Sequence, residues 1–422
     1  MDTQIYETIK KYSDEISEQV IQWRRKIHEY PELANQEFRT AELIVKVLRD
    51  IGVDEIYEGQ AGGTGVLGVI RGEQDGPIVG LRADMDALVI KENTELPFAS
   101  RETAQWGGKE VPVMHACGHD AHVAMLLGSA SVLVKLRKYI KGSVLLVFQP
   151  SEEGPSPGLQ GSYGAKKYLE EEQFQSLMPK AMFGMHVDPK APIGSAGQLG
   201  YVGGITCMAC TMFTIRFKGV GAHGSLPWTG AEVLIPTAQT LLGLQAITTQ
   251  NVNPKTNPII LTCGQMAGGV RYNVMAEESF ISGACRFTDY STKDLLEGRI
   301  IEVAEGCAKA SGVKAEVQWD MHIPNNKNDF ELVEHITPCF KEILGEENVK
   351  VDPSRAFGSP DDFGQFSNTI PCLYAALSVA PDDGIQEEVP GIHSDNFVLN
   401  EKALVNGVKA HTVFALGYLE NN

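Results

Sequence analysis

Cysteine, histidine and carboxylate side chains crowd two short stretches of this chain: Met114-His115-Ala116-Cys117-Gly118-His119-Asp120, and the acidic pair Glu152-Glu153. These are the side chains that hold zinc, manganese and related ions. A metal site that activates water needs one carboxylate to bind metal and a second to move protons. Two adjacent glutamates just past a strand can divide that work. Cys117 and His119 lie two apart in a glycine-containing turn, so one turn can aim both at one ion. A Cys-x-His pair alone is weak evidence for a site. His186, taken alone, reads as a satisfied histidine at a strand end, and His393 sits in an uninformative loop context. Together, Cys117, His119, Glu153, His186 and His393 supply enough donors for two metals, given shared groups or a bridging water. Glu152 is then left over as the base, taking a proton from water and later delivering it to a leaving amine. His122, one helical turn after His119, reads as a supporting or packing histidine, and His115 as a bystander. Cys207-Met208-Ala209-Cys210 has no second CxxC to pair with and opens a strand, so these cysteines read as packing residues.

The elements that must position these groups follow from periodicity. Ile16, Val20, Ile21, Trp23 and Ile27, then Ala41, Leu43, Ile44, Val47 and Leu48, predict two helices separated at Pro31. Three strand-like runs end in polar chemistry: Ile78 to Leu81 before Arg82-Ala83-Asp84, Ser143 to Phe148 before Gln149-Pro150-Ser151-Glu152-Glu153, and Ala181 to Met185 before His186. An apolar helix from Ala121 to Leu136 lies between the first two. This alternation predicts an α/β fold with a mixed, mostly parallel sheet flanked by helices, whose site lies beyond the carboxyl ends of the strands. Residues 198–322 read instead as β-α-β-β-α-β, the ferredoxin-like order. The expected organisation is therefore two domains. Residues 1–197 and 323–422 form the first, and 198–322 form an inserted α+β domain.

Composition sets the class. Of 422 residues, 43% are apolar and 21% charged, which is globular, and the length exceeds one ordinary core. A net charge of −18 argues against nucleic acid and anionic membranes as main partners. The polar N-terminus lacks a signal peptide's apolar region, and no apolar run is long enough to span a membrane. Eight cysteines in so long a chain read as reduced thiols rather than a disulfide framework, which implies a cytoplasmic setting.

The motifs resemble those of the aminoacylase/carboxypeptidase superfamily of two-metal amidohydrolases, and within it the branch of hippurate hydrolases, auxin-conjugate hydrolases and N-acyl-amino-acid deacylases. The resemblance runs almost end to end. It includes WRRKIHEYPEL at 23–33, LRADMDAL at 81–88, MHACGHDAHVAMLLG at 114–128 and FQPSEEG at 148–154. It continues through GMHV at 184–187, GVGAHGSLP at 219–227, Asn273-Val274, Arg286 and IHSDNF at 392–397. It implies a metallopeptidase-like catalytic domain carrying an inserted lid/dimerisation domain. It implies metal binding by Cys117, His119, Glu153, His186 and His393, with Glu152 as general base and Asp84 behind a ligand. Arg82 stands where other branches have a metal-binding histidine. His223 matches a histidine that enters the partner subunit's site and acts on the substrate carbonyl or its oxyanion, and Asn273 and Arg286 match residues that hold the substrate carboxylate. The chain departs from the family pattern at Gly358-Ser359-Pro360-Asp361-Asp362-Phe363, at the start of the helix after His223, at Gln250 and in the proline-rich stretch 155–163.

The expectation is an amidohydrolase that uses two divalent metal ions, zinc or manganese ahead of cobalt or nickel, to cleave N-acyl amino acids, and that works as a homodimer or larger homo-oligomer. The nearest alternative is a carboxypeptidase or dipeptidase on the same site, with Asp361 or Asp362 receiving a free substrate amine. A more remote one is a non-catalytic ligand-binding protein.

Overall fold

A computed structural model describes residues 1–190, 195–289, 291–351, 360–381 and 389–420. The chain divides into two compact units. One takes in Met1–Thr206 and most of the chain from Asn326 onward; the other is built on Cys207–Asn325.

The larger unit is organised on an eight-stranded sheet. Its strands run in the order Glu55–Gln60, Gly65–Arg71, Lys141–Gln149, Gln74–Asp84, Ala181–Asp188, Cys372–Ser378, Leu199–Tyr201 and Val349–Val351. The central pairings are parallel: Lys141–Gln149 with Gln74–Asp84, Gln74–Asp84 with Ala181–Asp188, and Ala181–Asp188 with Cys372–Ser378. The strands Glu55–Gln60 and Gly65–Arg71 add on antiparallel at one side. Leu199–Tyr201 belongs to this sheet, so the larger unit runs a few residues past 197 before the smaller one begins.

Helices cover the sheet. Thr3–Glu29 opens with the Asp2 carboxylate accepting from the Gln4 N–H at 3.1 Å and gives way at Tyr30, just before Pro31. Phe38–Ile51 closes on Gly52, whose φ of +82° suits a left-handed C-cap. The third helix, His119–Lys135, is apolar around its circumference, and His119 through Leu133 are all buried. A helix without a polar face belongs in the middle of a fold. It packs with Thr3–Glu29 and the C-terminal helix Leu404–Glu420 around the main core. Among the described residues no helix is long and apolar enough to cross a membrane.

The smaller unit carries an antiparallel sheet in the order Ile259–Gly268, Glu278–Phe287, Ala209–Lys218 and Lys314–Ile323, with helices Leu234–Gln250 and Ser291–Ala310. Phe213, Ile215 and Phe217 alternate into its core, as a half-buried strand requires. Cys207 and Cys210 are buried free thiols.

Candidate metal centre

Three adjacent parallel strands bring their carboxyl ends to one edge. Asp84 stands opposite Gln149, and Arg82 stands opposite Gly184, two residues before His186. The polar groups expected at separate strand ends are therefore neighbours, as an open α/β sheet arranges them. Cys117 and His119 arrive from the turn into the central helix. Gly118 between them has φ +89°, and a Cβ there would collide with Cγ2 of Val187. Glycine lets that turn approach the His186 strand.

Among the described residues the candidate ligand atoms fall into five overlapping groups, two of which share Cys117. Cys117 with His119 and His186 forms one; Cys117 with Glu153 and His393 forms the other, and within each group the atoms lie within 4.8 Å of one another. Cys117 Sγ is 3.2 Å from His186 Nε2 and 3.2 Å from His393 Nε2. His393 Nε2 is also 3.0 Å from Glu153 Oε1. That oxygen is buried without a hydrogen bond of acceptable geometry, so these atoms converge without pairing off.

The histidine tautomers follow from their other partners. His186 Nδ1 lies 2.7 Å from the Val187 carbonyl and must donate to it, which leaves Nε2 free to coordinate. His119 Nδ1 is 3.2 Å from Asp86, and its Nε2 is buried without a partner. His122 is different. Its Nε2 accepts from the Val187 N–H at 2.9 Å, so its Nδ1 donates to Asp84 at 2.5 Å. Both nitrogens are engaged, which makes His122 a support rather than a ligand. His115 is buried with neither nitrogen hydrogen-bonded, belongs to none of the ligand groups, and is pushed down to about 3 by burial.

Behind the donors lies a buried ionic cluster. Arg82 donates to Asp84 at 2.5 Å, to Asp362 at 3.1 Å, to Asp361 at 3.3 Å and to Gln149 at 3.0 Å. Asp361 also accepts from the Tyr374 hydroxyl and the Phe363 N–H. Asp362 also accepts from Gln149 and from the Ala165 N–H at 2.8 Å. Gly358 and Ser359 of the divergent segment lie outside the described residues.

The field of this cluster fits a dication. Asp84, Asp361 and Asp362 surround the buried guanidinium of Arg82, and Asp86, Glu152 and Glu153 add further carboxylates around His119. Burial would raise Asp84, but Arg82, His119 and His122 outweigh it and hold the carboxyl well below its usual range. Burial would likewise lower His119, yet Asp84 and Asp86 hold it up at about 10. The Cys117 thiol is pushed well up by burial and then by Glu153, Glu152 and Asp84. A dication held there would relieve the same surplus of anions and would favour the thiolate form of Cys117. The soft sulfur, imidazole nitrogens and carboxylate suit a transition metal or zinc.

Glu152 stands at the edge of this arrangement. One oxygen is 3.8 Å from His119 Nε2, and the other accepts a long 3.4 Å contact from the Asp362 N–H. Burial, then Asp361 and Glu153, lift it well above the ordinary carboxyl range. Ser151 before it and His393 are two of four non-glycine residues with positive φ among the described residues, at +58° and +62°. Left-handed backbone at non-glycine positions concentrates where geometry is functionally fixed. The His393 N–H donates to the Ala116 carbonyl at 2.7 Å, which ties that loop to the Cys117 segment.

Within the smaller unit, His223 and Asn273 lie side by side. His223 bridges to Val274, and the Gly224 N–H donates to the Asn273 carbonyl at 2.9 Å. Arg286 sits near the far end of the strand that begins at Glu278, about 25–30 Å along from that beginning at the usual rise per residue.

Arg82, Asp86 and Glu37 have structural parts that the sequence did not assign, whereas His122 takes the supporting part expected of it. Arg82 and Asp84 share a face through their spacing of two, a signal available from the sequence; Glu37 carried none.

The comparisons agree with this architecture. Residues 80–416 match peptidase family M20/M25/M40. The N-acetyl-L-cysteine deacetylase of Bacillus subtilis is 33% identical over 403 residues, covering 94% of this chain and 89% of that protein. The hippurate hydrolase of Campylobacter jejuni is 32% identical, over 94% of this chain and 96% of that protein. Among solved structures, a putative aminohydrolase from methicillin-resistant Staphylococcus aureus superposes with a TM-score of 0.85 at 27% identity, covering 98% and 99% of the two chains. A Bacillus subtilis protein, a dinuclear metal-binding peptidase of the M20 family, superposes at 0.76 with 28% identity, covering 97% and 100%. With the fold, the strand-end site and a match across most of its length in accord, the chain belongs to peptidase family M20/M25/M40.

Proposed function

We propose that this protein is a metal-dependent amide hydrolase whose substrates are N-acyl amino acids. The observation that carries the reading is the division of the Glu152-Glu153 pair. Glu153 groups with the Cys117 sulfur and His393, whereas Glu152 has no group with Cys117: it meets His119 and Glu153 on one side and Asp361 and Asp362 on the other. Adjacent residues thus offer one carboxylate to metal and one to protons.

Cys117, His119, His186, Glu153 and His393 would hold two divalent ions; their mixed donor set favours zinc or manganese. Bound there, such ions would supply Lewis acidity for the acyl oxygen and lower the pKa of water to about 7. Glu152 takes the proton from the attacking water as its oxygen bonds to the acyl carbon. The C–N bond then breaks, and Glu152 delivers that proton to the departing nitrogen. A carboxylate in that place can take the proton and give it back. Asp84 and Asp86 orient His122 and His119, and Arg82 keeps Asp84 ionised.

His223 and Asn273 at one end of the small sheet, and Arg286 at the other, suit two different active sites better than one. A homodimer, with His223 acting on the carbonyl in the partner's site and Asn273 and Arg286 on substrate carboxylates, accommodates that separation. The edge strand Ile259–Gly268 and its surroundings support such pairing. Leu242 is 73% exposed and Tyr272 93%, with Ile260, Met266 and Val270 exposed nearby in sequence. The eight thiols are free, which suits a reducing compartment such as the cytoplasm.

Relatives named for N-acetyl-L-cysteine and hippurate support the acyl-amino-acid reading. A relative named thermostable carboxypeptidase 1, at 32% identity, favours a peptidase as second reading. An unblocked dipeptide would need an anion for its amine. Asp361 and Asp362 are each held by Arg82 and further donors, so neither is free for that task. Matched N-acetyl amino acids and unblocked dipeptides, assayed with zinc- and manganese-loaded protein, separate the two. Higher kcat/KM for the dipeptides would reject the deacylase reading.

A further inference from the structure

The turn that carries Glu152 is held from an unexpected quarter. Glu37 is fully buried, and among the described residues no cation pairs with it. It occupies the N-cap position of the helix Phe38–Ile51 but makes no capping hydrogen bond. That task falls to Glu32, whose carboxylate accepts from the Arg39 and Thr40 N–H groups at 3.0 and 2.9 Å. The two oxygens of Glu37 are used elsewhere. One accepts from the Thr64 hydroxyl at 2.6 Å, and the other accepts from the Ser151 N–H at 3.0 Å, across 114 residues of sequence.

Ser151 is the residue that needs such a partner. It is completely buried with φ +58°, and it immediately precedes Glu152. A serine in left-handed backbone with a buried N–H is doubly unfavourable unless surrounding groups enforce it. The grip has a second point. The Asn35 side chain accepts from the Ser156 N–H at 3.3 Å, and the Ser156 hydroxyl donates to the Ala34 carbonyl. Residues 34–37 thus grip 151–156 at both ends. From the other side, Asp86 accepts from the Glu153 N–H at 2.9 Å, but Asp86 also holds His119. Glu37 touches none of the proposed metal donors.

We propose that Glu37 is a positioning residue for Glu152: its buried carboxyl, through the Ser151 amide, fixes the left-handed turn that aims the base. The inference rests on the role given to Glu152 above. Glu37→Gln keeps a carbonyl oxygen for Ser151 and turns its amide toward the Thr64 hydroxyl, which can accept. Glu37→Ala removes the acceptor.

Hydrogen–deuterium exchange of the peptide spanning 148–154 reads the turn without reference to activity. Steady-state kinetics on an N-acetyl amino acid and elemental analysis read its consequence. Glu37→Ala is expected to lose protection at the Ser151 amide and to lower kcat by about 100-fold, the scale of a misplacement near 1 Å, with KM and metal content unchanged. Glu37→Gln is expected to restore both protection and turnover. Unchanged exchange in Glu37→Ala overturns the proposal, as does faster exchange with undiminished kcat, or a fall in kcat matched by loss of metal. If wild-type protein hydrolyses no substrate offered, the proposed function fails, while the clamp itself still stands or falls on the exchange data.

Discussion

Replacing Gly118 by alanine tests the link between backbone and metal site, with Gly52 as an internal control. Gly118 has φ +89° and Gly52 has φ +82°, so an added methyl meets the same left-handed penalty at both, about 1–2 kcal/mol. Beyond that the sites differ. The Gly52 Cβ would have nothing within 4 Å, whereas the Gly118 Cβ would collide with Val187 Cγ2. Val187 is β-branched and fully buried, so it has few ways to turn aside. Overpacking of this kind adds about 1–3 kcal/mol. Relief requires moving the turn between Cys117 and His119 away from the strand that carries His186. The expected result in urea unfolding of chelated protein is a further loss of about 1–3 kcal/mol for Gly118→Ala relative to Gly52→Ala. Competition with a graded chelator should show metal retention weakened at least 10-fold for Gly118→Ala, the scale seen when support behind a ligand is lost. Gly52→Ala should hold metal as wild type does. If the two variants hold metal equally, the close approach at Gly118 does not set the spacing of the donors, and the reasoning fails.

Three other perturbations separate the roles argued above. Glu152→Gln should keep metal content at the wild-type level and lower kcat by at least about 100-fold, the usual contribution of a general base; wild-type turnover would remove Glu152 from that role. Cys117→Ala should lower the bound metal per chain, because two donor groups share this sulfur; unchanged stoichiometry by elemental analysis would exclude it. His411, buried against Phe183, is pushed down to about 3 by burial and then by His122. The folded state therefore refuses a proton that the unfolded chain accepts below pH 6.5, so this group's stability contribution is present at neutral pH and is lost as pH falls from about 6.5 toward 3. At pH 4.5 the loss is about 2–3 kcal/mol, and His411→Phe should flatten the fall in urea midpoint between pH 7 and 4.5; an unaltered slope would refute it.

Much of this architecture was legible because periodicity reports burial. The central helix was expected from Ala121 to Leu136 and spans His119–Lys135, because a continuously apolar segment has one place to go. The β-α-β-β-α-β order of the smaller unit followed from strand alternation for the same reason. The sheet's right-hand strands were harder to see. Leu199–Tyr201 has three residues, too few for a period, and its membership depends on pairing with distant strands. At the site, residue types announced Cys117, His119 and the glutamate pair. The supporting part expected of His122 is fixed by the Val187 N–H, a backbone donor that no side-chain pattern reveals. Asp361 and Asp362 looked available for a substrate amine, and only the structure places Arg82, Tyr374, Gln149 and Ala165 against them.

Arg82 and Cys117 make sense as one coupled change. Arg82 stands where related branches, by resemblance, place a metal-binding histidine. A guanidinium cannot coordinate metal at any accessible pH, so that donor position is closed. Its charge is used on Asp84, Asp361 and Asp362, two of which come from a segment distant in sequence. A pair of ions held there would draw donors from elsewhere, and the turn before the central helix offers His119 and the Cys117 thiol. As a thiolate it adds one negative charge where arginine has added one positive charge. The centre would then keep its charge balance while donors are drawn from Cys117 and His119. Changing either residue alone leaves a buried charge without its counterpart, a more costly defect than the loss of one donor. Arg82→His in the presence of Cys117 should for that reason lose both stability and metal, although it restores the residue type of the other branches.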